Sequence, residues 1–284
     1  MIAIRKIMLT KKRGKMKKVL TIAGSDSSGG AGVQADLKTI AANRLYGMSV
    51  ITALTAQNTL GVEGVYEVDA DFVQLQMKAV FEDIFPDAVK VGMVSDSECI
   101  KTIAENLKKY EAKNIVVDTV MVSTSGHALL KKEAVKSMVD ILLPVADIIT
   151  PNIPEAEVLS GIKISGREDM LLAGRLIYNM INEKKQGDKE TYVCVKGGHL
   201  ENDNADLLIG NGEEAWYENT KIDNPNTHGT GCTLSSAIAC GLAEGLSVKE
   251  SVSYAKKYIT GALKTGFDIG KGNGPLNHMY KYMD

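Results

Sequence analysis

A glycine-rich loop late in the chain has the composition of an oxyanion site. It spans residues 226–233 (NTHGTGCT), and the apolar residues that follow at helical spacing predict a helix beginning within it. Gly229 and Gly231, on either side of Thr230, would let successive backbone N–H groups turn towards one point at the positive end of that helix. Such an arrangement suits a phosphate oxygen. The plainer alternative is a glycine cap that binds no ligand.

Cys232 lies in the first turn of the same predicted helix. The positive end of a helix dipole lowers the pKa of a thiol and favours the thiolate. The alternative is that Cys232 is a small buried apolar residue, and position alone gives the two interpretations equal weight. Cys194, within a predicted strand, and Cys240, on the helix, are both expected in the core.

A second glycine loop, residues 24–32 (GSDSSGGAG), follows the first apolar run of the chain. Its last glycines match the spacing of a dinucleotide-binding fingerprint. That fold also needs an acidic residue at the end of the next strand to hold the ribose, and here that strand ends in Gln57 and Asn58. The loop also lacks the Gly-Lys-Ser/Thr of a P-loop. An NAD enzyme is therefore rejected, which leaves a substrate-covering loop or a turn with no ligand.

Polar side chains that could bind phosphate or a metal ion follow two of the later predicted strands. Asn152 and Glu155 begin a short predicted helix, where they could share a face and hold a magnesium ion through water. The alternative for this pair is a plain N-terminal helix cap. Lys196 precedes two glycines and offers a point charge for a phosphate.

Strand-like and helix-like segments alternate along the chain, which predicts an α/β fold with a mostly parallel central sheet and helices on both faces. The strands are short uninterrupted apolar runs, and the helices each have one apolar face. Six predicted strand ends carry Gly24-Ser25-Asp26, Gln57-Asn58, Gly92-Met93, Asp118, Asn152 and Lys196. Because ligands bind at the carboxyl edge of an open parallel sheet, these residues are expected around one crevice.

Two stretches break the alternation. Residues 65–68 and about 205–218 are predicted as short extra strands, in a β-flap or at an antiparallel edge. The helix after the first of them is expected to turn Phe72, Leu75, Ala79 and Val80 inwards. With no internal repeat or linker, residues 17–284 are interpreted as a single domain, preceded by a basic, disordered tail at residues 1–16.

The composition excludes several classes of protein. Hydrophobic residues make up 44% and charged residues 24%, as in ordinary globular proteins. A net charge of −2 provides no field that would recruit nucleic acid or an anionic membrane, and no apolar run is long enough to span a bilayer. The four cysteines show no C-x-x-C pair and no zinc-ligand spacing, so reduced thiols and a cytoplasmic location are expected.

With these motifs assembled, the chain resembles the hydroxymethylpyrimidine/phosphomethylpyrimidine kinases of thiamine biosynthesis, which belong to the ribokinase-like superfamily. The resemblance runs from about Lys17 to the C-terminus. The runs that carry it are TIAGSDSSGGAGVQADLKT (21–39), VITALTAQNT (50–59), KVGM (90–93), VVDTVM (116–121), ITPNIPEA (149–156), VKGGH (195–199) and NTHGTGCTLSSA (226–237). It implies a ribokinase-like fold, ATP and Mg²⁺ as cofactors, and a homodimer.

The resemblance also implies roles for individual residues. On the substrate side, Gln57 should hold the aminopyrimidine, with Asp36 and the backbone near Gly24 lining the same pocket. On the nucleotide side, Asp118, Asn152 and Glu155 should organise magnesium and the phosphates, with Asp118 and Glu155 acting on the metal through water, and Lys196 should contact an ATP phosphate. At the reaction centre, Gly229, Thr230, Gly231 and Cys232 should form the anion hole, with Cys232 at the position of the catalytic base.

The chemistry agrees with these assignments. One carboxamide can satisfy both the ring nitrogen and the amino group of a 4-aminopyrimidine, as Gln or Asn does with adenine. Phosphoryl transfer depends more on positioning and charge stabilisation than on base strength, so a thiolate can suffice. Residues 121–130 lack the core pattern of their neighbours and are predicted as a lid that excludes water.

The expected activity is therefore ATP-dependent phosphorylation of 4-amino-5-hydroxymethyl-2-methylpyrimidine, and of its monophosphate. The alternative is a pyridoxine or pyridoxal kinase, because relatives of that activity share the Gly-Thr-Gly-Cys loop. Some of them carry a cysteine in the lid, and residues 121–130 contain none, which favours the pyrimidine. A non-catalytic pyrimidine sensor is disfavoured, because a sensor has no need of the residues expected to handle magnesium and phosphate.

Overall fold

The alternating apolar runs of the sequence form one nine-stranded sheet. The computed structural model describes residues 15–121, 132–187, 189–198, 204–218 and 222–283. Its strands are β1 (Lys18–Asp26), β2 (Tyr46–Asn58), β3 (Gly61–Glu67), β4 (Ala88–Val91), β5 (Ile115–Val117), β6 (Ile148–Ile149), β7 (Tyr192–Val195), β8 (Asp206–Gly210) and β9 (Glu213–Tyr217). Its α-helices are α1 (Gly32–Ala42), α2 (Ala70–Asp83), α3 (Ser97–Lys109), α4 (Lys132–Ser137), α5 (Ile153–Ser160), α6 (Arg167–Asn182), α7 (Thr230–Ala243) and α8 (Val248–Lys264).

The strand order is β3-β2-β1-β4-β5-β6-β7-β8-β9. All pairs from β2 across to β7 are parallel, whereas β3, β8 and β9 pair with their neighbours in antiparallel fashion. The predicted mostly parallel sheet is therefore confirmed, and so are the extra strands near residues 65–68 and 205–218. The chain crosses from one side of β1 to the other between β2 and β4, which opens a crevice at the carboxyl ends of these strands.

Helices cover both faces of the sheet, as predicted. Side chains of β1 alternate between two cores, with Val19 packing under α7 and α8 and Leu20 and Ile22 packing under α2 and α3. All three are wholly buried. This two-sided burial is why the central strands appear in the sequence as continuous apolar runs.

The apolar face predicted for helix α2 is wrong except at Val80, which is half-buried and packs against the core. Val73, Met77 and Phe81 form its buried face, whereas Phe72 and Leu75 are 56% and 58% exposed. The helix carries apolar residues on two faces, so its sequence pattern alone does not show which one meets the sheet. The outward apolar face lies on the helix that follows the edge strand β3.

Two predicted segments are not covered by the structure. The predicted tail, residues 1–16, lies outside the described residues except for Lys15 and Met16. The predicted lid, residues 121–130, lies outside them except for Met121. Among the helices that are described, none combines the length and apolar character needed to span a bilayer.

Candidate active site

One cleft of about 900 Å³ opens at the carboxyl edge of the parallel strands. A cleft of this size suits a small molecule together with part of a nucleotide. The predicted site residues on its wall are Gly24, Gln57, Asp118, Asn152, Glu155, Lys196, Gly229, Thr230, Gly231 and Cys232. Every predicted site residue except Asp36 therefore lines one cleft, although these residues lie far apart in the sequence.

The late glycine loop ends at the N-terminus of α7, whose N-cap is Gly229. Gly229 has a φ of +85°, and a Cβ there would lie 1.9 Å from the carbonyl oxygen of Gly30. Only glycine allows both the left-handed conformation and this close approach of the two loops. The backbone N–H groups of Gly231 and Cys232 have no acceptor among the described residues, as expected in the first turn of a helix. This turn can accept an oxyanion.

The thiol of Cys232 does not have the lowered pKa that its helix position predicts. Its side chain reaches the cleft but is surrounded by protein, and burial raises the pKa of the thiol to about 11. The nearby ammonium group of Lys90 offsets only part of this rise, and the carboxylates of Asp36 and Asp118 add to it. In the ligand-free geometry Cys232 is therefore a protonated thiol at neutral pH. The expectation for Cys194 and Cys240 is confirmed, since both lie in the core.

Asp118 and Lys196 form an ion pair across the floor of the cleft. The Nζ atom of Lys196 lies 2.7 Å from Oδ1 of Asp118, which also accepts a hydrogen bond from Thr150. Burial alone would raise the pKa of Asp118, but Lys196 and Lys90 outweigh it and hold that pKa below its usual range. A Cβ on Gly231 would lie 3.4 Å from Asp118 Oδ2, so the pair lies directly beside the anion-hole loop.

Asn152 and Glu155 begin helix α5 as a complete capping box. Asn152 Oδ1 accepts from the backbone N–H of Glu155, and Glu155 Oε2 accepts from that of Asn152, both at 2.9 Å. The helix-cap alternative is therefore confirmed for both residues. If Glu155 also binds metal, it must do so while it accepts the hydrogen bond from the N-cap. Burial raises the pKa of Glu155, and Lys196 offsets this only in part. Glu155 lines the cleft, and the residue is 5% exposed.

The donor set fits magnesium held largely by water and phosphate. Among the residues that the structure describes, no three His, Cys, Asp or Glu side chains form a cluster able to enclose a metal. Mg²⁺ is usually bound by one or two carboxylates together with waters and substrate phosphates. Asp118 and Glu155 supply two carboxyl groups on one wall of the cleft.

Asp36 does not line the cleft, and that expectation is corrected. Its carboxylate is completely buried beneath the site, where it pairs with the equally buried Lys90 at 2.8 Å. It also accepts hydrogen bonds from Thr21 at 2.6 Å and Ser236 at 2.7 Å. The residue lies on the sheet-facing side of α1, so its side chain points into the core rather than towards the ligand edge. The sequence analysis assigned no role to Lys90, because nothing in the residues around it shows that its ammonium group is buried.

Gln57 lies at the end of β2, half-buried, with its carboxamide between two neighbours. Oε1 is 3.0 Å from Thr55 Oγ1, and Nε2 is 3.4 Å from Nε2 of His228. The same imidazole nitrogen lies 2.8 Å from Asp26 Oδ2. Asp26 and His228 also line the cleft and were given no role from the sequence. Each belongs to one of the two glycine loops, and that position was the signal available.

The far half of the cleft lies between the segment that follows β9 and helix α8. It is lined by Ile222, Asp223, Asn224, Pro225, Thr227, Leu234, Ile259, Thr260 and Leu263. These side chains are mostly apolar or small and could enclose a flat ring. Sequence reasoning missed this region, because nothing in residues 222–225 resembles a ligand motif, and their place in the cleft depends on the packing of α8 beside them.

The sequence and the structure were compared with known proteins. The family model described as phosphomethylpyrimidine kinase matches residues 26–277. A hydroxymethylpyrimidine/phosphomethylpyrimidine kinase from Streptomyces coelicolor is 47% identical over 92% of this chain and 93% of its own length. A crystal structure of phosphomethylpyrimidine kinase from Clostridium difficile is 50% identical, with a TM-score of 0.75, covering 86% of this chain and 98% of that one.

A second solved structure relates the fold to another vitamin kinase. The ADP complex of pyridoxal kinase from Bacillus subtilis is 36% identical, with a TM-score of 0.85, and covers 95% of this chain and 100% of that one. The fold is thus ribokinase-like, and the nearly full-length matches point to a phosphotransferase that uses ATP. The chain belongs to the phosphomethylpyrimidine kinase family.

Proposed function

We propose that this chain transfers the γ-phosphoryl group of ATP to the hydroxymethyl group of 4-amino-5-hydroxymethyl-2-methylpyrimidine, and then phosphorylates the resulting monophosphate. The observation that carries this proposal is the single cleft that holds a ring-binding carboxamide, Gln57, and a helix-terminal anion hole, Gly229–Cys232. The relatives named for this activity align over nine-tenths of the chain.

Gln57 recognises the ring in this proposal. A 4-aminopyrimidine presents a ring-nitrogen acceptor beside an amino donor, and a carboxamide presents the complementary donor and acceptor. Gln57 is half-buried at the end of β2 and lines the cleft together with Gly24, whose missing side chain leaves room against Met93. The ring is therefore held at the end of the cleft formed by β1 and β2.

The phosphates occupy the middle of the cleft. The free N–H groups of Gly231 and Cys232 receive the oxygens of the transferred group, and Lys196 adds a fixed positive charge beside Asp118. Asp118 and Glu155 would hold Mg²⁺ through water, and the ion would neutralise charge on the ATP phosphates. Cys232 lies where the substrate hydroxyl must lose its proton, so its sulfur is the candidate acceptor. The nucleotide base fits the apolar far half of the cleft.

Pyridoxal or pyridoxine phosphorylation is the second candidate activity. The likeness to the pyridoxal kinase of Bacillus subtilis over nearly the whole chain favours it. Sequence identity is higher to the pyrimidine kinases, and the carboxamide of Gln57 matches an aminopyrimidine better than a pyridine ring with a phenolic oxygen.

The decisive experiment measures ATP-dependent turnover of hydroxymethylpyrimidine, its monophosphate, pyridoxine and pyridoxal by the native enzyme and by Gln57→Leu. The leucine keeps the side-chain size but leaves the polar edge of the ring unpaired, which costs about 1–3 kcal/mol. We expect the KM for the pyrimidine to rise roughly tenfold or more, with the KM for ATP little changed. An unchanged pyrimidine KM would remove Gln57 from ring recognition, and turnover of pyridoxal alone would overturn the pyrimidine assignment.

A homodimer is also part of the proposal. The outer edge of β3 is the end of the sheet, and apolar side chains are exposed beside it: Leu54, Leu60, Tyr66, Phe72 and Leu75. An unpaired strand edge flanked by exposed apolar groups favours association with a second copy of the chain. A cytoplasmic location is proposed from the four free thiols.

A further inference from the structure

A lysine on helix α8 reaches the cleft wall and has no part in the reaction proposed above. Lys256 lines the cleft, and its side chain is 12% exposed. It forms an ion pair with Asp206, whose side chain is 4% exposed and lines the same cleft. A mostly buried ion pair contributes little net stability, because both charges lose their water. Stability alone therefore does not account for this pair.

Asp206 brings Lys256 beside the turn that carries the phosphate lysine. Strands β7 and β8 pair in antiparallel fashion, so Asp206, at the start of β8, lies opposite Lys196, which follows β7. Oδ1 of Asp206 accepts from the backbone N–H of Gly197 at 3.0 Å, and Oδ2 accepts from Nζ of Lys256. A single carboxylate thus connects the ammonium group of Lys256 to the turn at residues 196–198.

Lys256 also begins the stripe of α8 that lines the far half of the cleft. Ile259, Thr260 and Leu263 follow it at the third, fourth and seventh positions, which is the spacing of one helix face. At 1.5 Å per residue, the stripe extends about 10 Å along the helix axis. Its charged end lies beside the turn that carries Lys196, and its apolar end lies in the region proposed for the nucleotide base. This order puts Lys256 where the phosphate chain joins the nucleoside.

We propose that Lys256 is a further nucleotide-binding residue, whose ammonium group contacts the phosphate chain close to the ribose while Asp206 holds it in place. This inference rests on the proposed function, in which ATP lies along this cleft. An ammonium group is a compact point charge that suits a phosphate oxygen. The phosphate chain carries more negative charge than one carboxylate, so the same ammonium group can serve both.

The test measures binding of ADP and of adenosine by titration calorimetry to the native protein, Lys256→Met and Lys257→Met. Methionine keeps the apolar stem of lysine but has no charge. We expect Lys256→Met to raise the Kd for ADP roughly tenfold or more, through loss of a charge-assisted hydrogen bond. The Kd for adenosine, which has no phosphate, should stay near its native value. Lys257 is the matched control, because it is the exposed neighbour on the same helix and its replacement should change neither Kd.

The double variant Lys256→Met/Asp206→Asn separates direct contact from charge balance. The native pair and its neutral replacement have the same net charge, and the asparagine oxygen can still accept from the N–H of Gly197. We expect ADP to bind the double variant roughly tenfold more weakly than the native protein. Recovery of native binding would overturn the proposal, because Lys256 would then only neutralise Asp206. No buried carboxylate is left unpaired in this variant, so it provides the test even if Lys256→Met does not fold.

Two further outcomes would overturn the proposal. One is an unchanged Kd for ADP in Lys256→Met. The other is an equal loss of affinity for ADP and adenosine, which is what a purely structural lysine would produce. Because binding of ADP needs no turnover, failure of the proposed function is distinguishable. A native protein that binds ADP but phosphorylates neither pyrimidine would refute the proposed function, and the comparison at Lys256 would still decide this inference.

Discussion

Replacing Cys232 by serine separates the two contributions that the reaction centre can make. Serine keeps the size of the side chain and the backbone N–H that faces the anion hole, but its hydroxyl is a far weaker acid than the thiol. Proton abstraction by a positioned base is typically worth about 10²–10⁴-fold in rate. The backbone anion hole is independent of this substitution and contributes a similar factor for each donor.

The raised pKa of Cys232 sets the expected pH dependence. With a pKa of about 11, the thiolate increases tenfold with each pH unit throughout the neutral range. At pH 7.5 roughly one molecule in three thousand carries it, from the difference between that pH and the pKa. A reaction that needs the thiolate should therefore accelerate with pH and show no plateau until the solution approaches pH 11.

The assay follows kcat/KM for hydroxymethylpyrimidine between pH 6 and pH 10, because this ratio reports ionisation of the enzyme before that substrate binds. For the native enzyme we expect log kcat/KM to rise with a slope near one. Cys232→Ser should be slower by at least ~100-fold at pH 8 and should lose that slope, because the titrating group is gone. Cys232→Asp should recover part of the rate and be independent of pH above about 6, where a carboxylate is already ionised.

Two outcomes would refute the reasoning. A serine variant with near-native kcat/KM and the native slope would show that another group takes the proton and that residue 232 acts through its backbone alone. A native profile that is flat from pH 6 would show that the thiol is already ionised, against the effect of its burial.

Two further predictions concern the metal and the assembly. Glu155→Gln keeps a capping residue at the third helical position, so stability should change little, while the Mg²⁺ concentration for half-maximal rate should rise roughly tenfold. Superimposable magnesium titrations of the two proteins would exclude Glu155 from metal binding and leave it only its role as a helix-capping residue. Tyr66→Lys places a charge on the outer edge strand and should convert a native dimer into a monomer in sedimentation velocity, whereas Leu246→Lys, on the turn before α8, should not. A native chain that sediments as a monomer would contradict the dimer.

The carboxyl edge of the sheet was predictable because the signals there are local. Strands buried on both faces are continuous apolar runs, and each run ends where a polar residue or glycine begins. Asp118, Asn152 and Lys196 lie far apart in sequence, yet parallel pairing alone brings them to one edge. The loop at Gly229 was predictable for the same reason, since glycines before a helical pattern mark the start of a helix, and Gly229 is the N-cap of α7.

What the sequence did not reveal depends on packing between distant elements. Phe72 and Leu75 are as apolar as the residues of a buried helix face. Only the packing of α2 against the sheet determines that Val73, and not Phe72 or Leu75, is buried. Asp36 was assigned to the substrate pocket through resemblance, but its partner Lys90 lies 54 residues away in β4. Nothing local to either residue shows that the two pair beneath the cleft.

That buried pair bears on how the site handles charge. Lys90 faces Asp36 and Lys196 faces Asp118, so each cation beneath the cleft already has its own carboxylate before a nucleotide arrives. A thiolate at Cys232 would add a negative charge to balanced, desolvated surroundings, which explains why burial prevails over the helix end in raising its pKa. The backbone N–H groups of Gly231 and Cys232, which have no acceptor among the described residues, are therefore the donors left available for phosphate oxygens.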